Sequence, residues 1–247
     1  MSQQALGEAA EVSTRHLSFL ETGKAAPSRT MVLVLAGALD LLLRDRNRLL
    51  QAAGYAAVYR DTSWEGEAAG PLRRALDLIL RHQGPIPAVG VTPRWDVVGM
   101  NGAAARLFAQ FVPDGLDPGV AGNVVHALFH PRGVRRFVVN WDEVAAAVLD
   151  RVHREASLEL DRGESEALLR AIAAYPGIPE RRQIDAGPLD AEVCLPLHLE
   201  RDGLELRLFT TITTLGTPVD ASAQELRIES YYPADDATER WLEAAVG

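Results

Sequence analysis

Cysteine and lysine are nearly absent from this chain of 247 residues. The single cysteine, Cys194, excludes an intrachain disulfide and a zinc site built on several cysteines, and it favours a reducing cytoplasmic location. Lys24 is the only lysine against 24 arginines, a bias that we attribute to a GC-rich genome. Long apolar runs are also missing, since no stretch approaches the roughly 18 residues that a membrane helix needs. We therefore expect no membrane partner.

The overall composition is that of a folded protein, with 47% hydrophobic and 24% charged residues. The net charge of −9 argues against a protein that coats nucleic acid over its whole surface. Residues 1–60 nevertheless carry a net charge of +2, which leaves −11 for the remainder. A basic amino-terminal module on an acidic body is typical of DNA-binding regulators, although so small an excess also arises by chance.

The first sixty residues carry the start and stop signals of short helices. Ser2 is a good N-cap for the first helix, and Ser13 or Thr14 for the second. Gly23 suits the left-handed position that ends the second helix, and two further helices follow before Gly54. Two short helices joined by a tight turn and followed by a buried helix predict a helix-turn-helix module. A helical hairpin used for dimerisation is the alternative.

A helix-turn-helix places the start of its second helix against base edges in the major groove, while neighbouring groups bind phosphate. Arg15 is suited to a bidentate contact with guanine. The predicted base-contacting residues are Thr14, Arg15, His16 and Ser18, and the predicted phosphate contacts are Gln3, Thr22 and Lys24. Since one such module rarely supplies enough affinity and specificity, a homodimer on double-stranded operator DNA is expected.

A polar linker at 61–70 is predicted to separate the helix-turn-helix domain, 1–60, from a second domain at 71–247. The patterns in the second domain predict a first helix at 71–83 and two strands at 88–92 and 95–100. Four helices are predicted to follow at 102–112, 120–129, 141–160 and 164–174, then three strands at 192–200, 204–215 and 225–231, and a last helix at 236–245. This order is that of a PAS-like domain, a five-stranded antiparallel sheet covered by helices. The predicted fold class is therefore α+β, with an all-α module first.

The run SQQALGEAAEVSTRHLSFLETGKAAPSRTMVLVLAGALDL resembles the helix-turn-helix of Xre-like, phage-repressor-type transcription regulators. The segments that carry the resemblance are 2–6, 21–24 and 27–28. The continuation LLRDRNRLLQAAGYAAVYR resembles the linker helix of the MmyB-like regulators of actinobacteria, and the similarity continues, for example at Asn140 and Trp141. It implies a transcription regulator whose PAS-like domain binds a small apolar, fatty-acid-like ligand.

Members of this family carry another helix before the SQQAL segment, and we expect that helix to be missing from the chain as given. Leu6, Val12, Leu17 and Leu20 are therefore expected to lack a partner, and an in-frame upstream coding stretch for an Arg-rich helix is expected. The alternative is a degenerate helix-turn-helix in a DNA-independent sensor or protein-interaction module.

An apolar pocket with a few polar anchors is expected in the second domain. Its candidate wall residues are Phe108, Phe111, Leu128, Phe129, Phe137, Trp141 and Leu149, each of which also suits an ordinary core. Arg135 and Arg136 are candidates to hold a ligand carboxylate, or else a solvated pair.

Catalytic motifs such as GxSxG, a P-loop or GxGxxG do not occur, and an enzyme on this scaffold is not favoured. His126 and His130 are spaced as two zinc ligands on a helix would be, but no HExxH glutamate accompanies them. No metal and no cofactor are therefore expected. Cys194 lies in an apolar strand pattern, which predicts an inert thiol.

Overall fold

The computed structural model describes residues 1–158, 163–178, 194 and 196–244. The chain divides into two units. The first consists of Met1–Ala69 and Leu215–Gln224, and the second of Gly70–Thr214 and Glu225–Gly247. The first unit is helical and the second combines a sheet with helices, so the fold class is α+β as predicted. Among the described residues, no helix is both long and apolar enough to cross a membrane.

Four helices form most of the first unit: α1 Gln3–Ala10, α2 Thr14–Glu21, α3 Arg29–Ala38 and α4 Leu43–Ala52. The side chains of Ser2, Ser13 and Ser28 each accept a hydrogen bond from a backbone N–H in the first turn of the helix that follows. Gly23 has a φ of +69° just after α2, a conformation that glycine adopts without strain. These local signals explain why the sequence located the helices well.

The core of the first unit lies where α1 packs against α2 and α3, and α3 against α4. The side chains buried there include Leu17, Val32, Ala36 and Leu50. The expectation that Leu17 lacks a partner is wrong, because it is 2% exposed and lies beside Gly7, which has no side chain to displace it. The other three residues of that group are half-buried.

The elements of the second unit follow the predicted order. Its helices are α5 Gly70–His82, α6 Gly102–Phe111, α7 Pro118–Ala121, α8 Val124–Phe129, α9 Trp141–Leu158, α10 Gly163–Ala173 and α12 Asp236–Ala244. Its strands are β1 Ala88–Val91, β2 Val97–Met100, β3 Leu197–Arg201, β4 Leu204–Thr214 and β5 Arg227–Pro233. A short helix α11, Ala221–Glu225, lies in the connection between β4 and β5. The part of the predicted 192–200 strand at 192, 193 and 195 lies outside the described residues.

Two elements of this unit differ from the predicted ones. The helix predicted to begin near Val120 is two short helices, because Asn123 has an extended backbone and caps α8. The strand predicted from Trp95 begins at Val97, because Trp95 takes a φ of +69° in the turn before it. Asn123 connects the start of α8 to the turn before β2, since its Nδ2 donates to the carbonyl of Arg94 at 2.7 Å and to Oδ1 of Asp96 at 2.9 Å.

The sheet of the second unit has the order β2-β1-β5-β4-β3, and every neighbouring pair is antiparallel. Glu229 of β5 pairs with Val89 of β1 on one side and with Ile212 of β4 on the other. Two residues along β5, Tyr231 pairs with Thr210. Side chains two apart on a strand share a face, so these groups lie together on one face of the sheet.

The main core covers that same face. It contains buried side chains of α6, α8, α9 and α10 together with Val89, Val91 and Tyr231 of the sheet. Helix α5 contacts β1 and β2 on the opposite face, where a Cβ at Gly90 would lie 2.8 Å from the side chain of Leu76. A side chain at position 90 would therefore have to displace the side chain of Leu76.

The connection between β4 and β5 belongs to the first unit, and its helix α11 was not predicted from the sequence. Asp220 accepts hydrogen bonds from the backbone N–H of Ser222 at 2.9 Å and from the hydroxyl of Thr62 at 2.5 Å. The hydroxyl of Ser222 donates to Asp61 at 3.1 Å. The segment is thus held by the residues that follow α4.

Candidate functional site

The helices α1 and α2 form the helix-turn-helix pair, and the predicted DNA-contacting residues lie along them. Thr14 and Arg15 are exposed at the start of α2, whereas His16 and Ser18 are half-buried. The guanidinium of Arg15 lies over the ring of Phe19, 5.4 Å from its centroid, which leaves the arginine on an exposed face of α2. The start of α2 thus presents both a cation and hydroxyl groups.

The predicted phosphate contacts are spread around this pair of helices. Gln3 is exposed in the first turn of α1, and its side-chain amide donates to the carboxylate of Glu21. Thr22 follows α2 and donates its hydroxyl to the carbonyl of Ser18 at 2.6 Å. Lys24 is exposed just beyond. A helix start and a nearby cation are both suited to bind phosphate.

The second unit contains a cavity of about 290 Å³ between the sheet and the helices. This volume is close to the lower end of the roughly 300–1,000 Å³ found for small-molecule sites. Most of its wall is apolar and comes from α6, α8, α9 and β3, as shown by the lining residues Leu107, Phe108, Phe111, Leu128, Val148 and Leu197. An apolar wall of this kind suits an apolar ligand.

The structure separates the predicted ligand-binding residues into two groups. Phe108, Phe111 and Leu128 line the cavity. The described lining does not include the other predicted residues, Phe129, Phe137, Trp141, Arg135, Arg136 and Leu149. Phe129 and Leu149 are buried in the core, with Phe137 and Trp141 packed against it.

The two predicted arginine anchors have other contacts. Arg135 lies over the ring of Trp141, 4.9 Å from its centroid, and donates to the carbonyl of Pro176 at 2.8 Å. Arg136 lies over the ring of Phe137. Both arginines therefore pack on aromatic rings next to the core.

The polar atoms of the described lining come from different residues, which sequence reasoning missed. They are Thr210, Glu229 and Tyr231 on the sheet, Arg151 on α9, and Cys194. The placement of Cys194 inside a strand is wrong, because the residue is exposed and precedes β3. Arg151 and Trp95 lie together, with the guanidinium 4.5 Å from the ring centroid.

Glu229 is the buried member of this polar group, with a side chain 8% exposed. The Tyr231 hydroxyl donates to its Oε2 at 3.1 Å, and Nη1 of Arg151 lies 3.9 Å from its Oε1. Burial raises the pKa of Glu229, and this effect outweighs the opposing influence of Arg151. Burial and the adjacent glutamate also raise the pKa of Tyr231, which keeps its hydroxyl a donor.

Sequence periodicity could not have found this group. On β5, the face that carries Glu229 and Tyr231 also carries Arg227, while the other face carries Ile228 and Tyr232. Neither face of β5 is the more apolar in the sequence, so alternation does not indicate which one points inward. The relation of Arg151 to Glu229 depends on the packing of α9 over the sheet.

The histidine pair considered for zinc has other partners. Nδ1 of His126 lies 3.0 Å from the hydroxyl of Tyr175, and burial lowers the pKa of His126. Nδ1 of His130 accepts the backbone N–H of Arg132 at 3.1 Å. Within the described part of the chain, no three His, Cys, Asp or Glu side chains are grouped as a metal site requires.

A helical DNA-binding module and a sheet domain with an apolar cavity define the class of ligand-responsive transcription regulators. A helix-turn-helix family model matches residues 1–45, and the model of the MmyB-like transcription regulator ligand binding domain matches residues 72–245. Since the second match covers more than half of the chain, the protein belongs to the MmyB-like family of Xre-type regulators. A comparison with curated proteins found no match.

Proposed function

We propose that this regulator binds an operator as a homodimer through residues 1–60 and takes a small apolar, fatty-acid-like effector in the domain at 71–247. The observation that carries the proposal is the 290 Å³ apolar cavity, which lies in the same domain that the ligand-binding family model matches. A regulator that binds an operator acts where the DNA is, and we therefore propose a cytoplasmic location for the protein.

The DNA-binding half of the proposal rests on the exposed start of α2. Thr14, Arg15, His16 and Ser18 would contact bases, and Gln3, Thr22 and Lys24 would contact phosphate. The exposure of Arg15 and Lys24 supports these roles, since both cations are on the surface of the helix-turn-helix pair. Two copies are needed because a single module supplies limited affinity, and two-fold symmetry then predicts a palindromic operator.

The ligand-binding half rests on the shape and chemistry of the cavity. Phe108, Phe111 and Leu128 would contact the apolar tail, as predicted from the sequence. A ligand that binds one folded conformation of the regulator more tightly than another shifts the balance between them, and this is how an effector would alter operator affinity.

The test begins with selection of DNA fragments by the purified full chain, followed by affinity measurements at several salt concentrations. Operator binding should be specific and should weaken steeply with salt. Decanoate, dodecanoate and tetradecanoate should then change operator affinity and raise the melting temperature. A ligand at a hundredfold excess over its dissociation constant should stabilise the protein by about 2.7 kcal/mol.

A matched pair of variants ties any ligand effect to the cavity. Val148→Phe adds volume inside the cavity and should weaken binding, whereas Val139→Phe adds the same volume at a residue that is 52% exposed. Absence of any specific or salt-dependent DNA binding would instead favour a DNA-independent sensor. If none of the three acids changes the melting temperature or the operator affinity, a fatty-acid-like effector is ruled out.

A further inference from the structure

We propose that the polar end of the cavity, formed by Arg151, Glu229 and Tyr231, recognises the carboxylate head of a monoanionic amphiphile, with Glu229 acting as a neutral hydrogen-bond donor. The inference rests on the proposed function, since it assumes that the cavity takes an amphiphilic effector. It assigns the head group to residues other than Arg135 and Arg136, which are not part of the cavity lining among the described residues.

The position of the three groups supports this assignment. Arg151 is the only basic residue and Glu229 the only acidic residue of the described cavity lining. Their nearest atoms, Nη1 and Oε1, are 3.9 Å apart, which is longer than a hydrogen bond. They lie side by side rather than bonded to each other, so both can contact one oxyanion.

The local charge balance favours an anion. Nε of Arg151 donates to Oε1 of Glu155 at 3.1 Å, and Nη1 of Arg227 donates to Oε2 of the same carboxylate at 2.5 Å. Two guanidinium groups therefore share one carboxylate. With Glu229 protonated, this group of side chains has one excess positive charge, which the carboxylate of a ligand would neutralise.

The surroundings of Glu229 favour its protonated form. The residues paired with it on the neighbouring strands, Val89 and Ile212, are apolar. The charged and titratable groups that face it are Arg151 and Glu155 from α9 and Arg227 and Tyr231 from its own strand. Burial is the largest influence and raises the pKa of the carboxyl. In the proposed complex the protonated carboxyl would donate a hydrogen bond to the ligand instead of repelling it.

A pH dependence follows from this arrangement. The ligand carboxylate stays ionised across the neutral range, while Glu229 loses its proton as the pH rises through its raised pKa. The ionised side chain would then repel the ligand. Affinity for the carboxylate should therefore fall by up to about tenfold per pH unit above that pKa. An alcohol with the same tail should bind with little change.

The experiment measures binding of decanoate and decan-1-ol to the full chain by calorimetry between pH 6 and pH 9. Decanoate affinity should fall with pH in the native protein and stay constant in Glu229→Gln, because the amide remains a neutral donor. Arg151→Met should lose at least about tenfold in decanoate affinity, the scale of a lost charged hydrogen bond, and retain decanol binding. Circular dichroism checks that each variant is folded.

Arg154→Met is the matched control, since Arg154 is on the same helix, is 69% exposed on its side chain and pairs with Asp150 outside the cavity. It should leave both affinities unchanged. Decanoate binding that is insensitive to both Arg151→Met and pH overturns the assignment, as does decanol binding without decanoate binding. If neither compound binds, the proposed effector class fails and this assignment fails with it.

Discussion

The side-chain Oε1 of Gln224 accepts a hydrogen bond from the backbone N–H of Leu43 at 2.6 Å, although the two residues are 181 positions apart. Leu43 begins α4, and its capping residue Leu42 supplies no side-chain hydrogen bond to that helix. Gln224 thus satisfies an N–H that would otherwise lack an intrahelical partner. It lies in the segment 215–224, which joins two strands of the cavity-bearing sheet but belongs to the amino-terminal unit. Gln224 is therefore linked through the backbone to β4 and β5 and by a hydrogen bond to the first turn of α4.

Gln224→Ala should lower the free energy of unfolding by about 0.5–2 kcal/mol, the usual cost of a lost helix cap. The measurement is chemical denaturation followed by helical circular dichroism. Gln224→Glu is the control, because it keeps an acceptor and adds a negative charge at a helix N-terminus, where it is stabilising. An equal fall in the free energy of unfolding of the two variants would show that the hydrogen bond from Leu43 to residue 224 does not contribute to stability. We also expect Gln224→Ala to reduce the effect of the ligand on operator affinity while leaving ligand affinity unchanged.

Arg15→Ala should weaken operator binding by about 1–3 kcal/mol and affect random DNA much less, because a bidentate contact to guanine is specific. Lys24→Ala should weaken binding to both DNAs equally and reduce the salt dependence, as a phosphate contact does. Fluorescence anisotropy with labelled operator and scrambled duplexes measures the difference. If Arg15→Ala weakens binding to both duplexes equally, Arg15 contacts the DNA backbone and not a base.

Gly133→Ala should destabilise the second unit by about 1–3 kcal/mol, because the new Cβ would overlap the backbone carbonyl oxygen of Ala127, which cannot rotate away. Gly102→Ala is the matched control, since a Cβ there meets no atom within 4 Å and the residue is exposed at the start of α6. Thermal melting compares the two variants. A melting temperature of Gly133→Ala equal to that of the control would contradict the packing described around residue 133.

Glu229→Gln should make folding stability less dependent on pH. The folded state raises the pKa of Glu229 above its ordinary value of 4.5, so the folded protein keeps this proton after the unfolded chain has lost it. The stabilisation is fully present below pH 4.5 and is lost as pH rises through the folded pKa, at about 1.4 kcal/mol for each unit of elevation. In denaturant unfolding, the free energy of unfolding of the native protein should therefore fall more between pH 5 and pH 8 than that of the variant. A native protein with equal stability at both values would argue against the raised pKa.

Much of the fold was predictable because its signals are local. Ser2, Ser13 and Ser28 each bond to an N–H three residues ahead, so their effect on the chain does not depend on distant packing. The helix-turn-helix and the element order of the second domain follow from such patterns, whereas the family was expected from the resemblance of whole segments. The break at Asn123 was missed because its side chain binds Arg94 and Asp96, which are distant in sequence.

The sequence by itself determined an α+β chain with a helix-turn-helix and a second, larger domain, because capping residues and apolar periodicity act over a few positions. The resemblance to MmyB-like regulators added the expectation that the second domain binds a small molecule. Only the tertiary structure decided which side chains line the cavity. Phe108, Phe111 and Leu128 could be anticipated as apolar residues, whereas Arg151 and Glu229 are brought together from α9 and β5 across 78 positions. The raised pKa of Glu229 exists only there, since it arises from burial, and burial is a property of the packed chain.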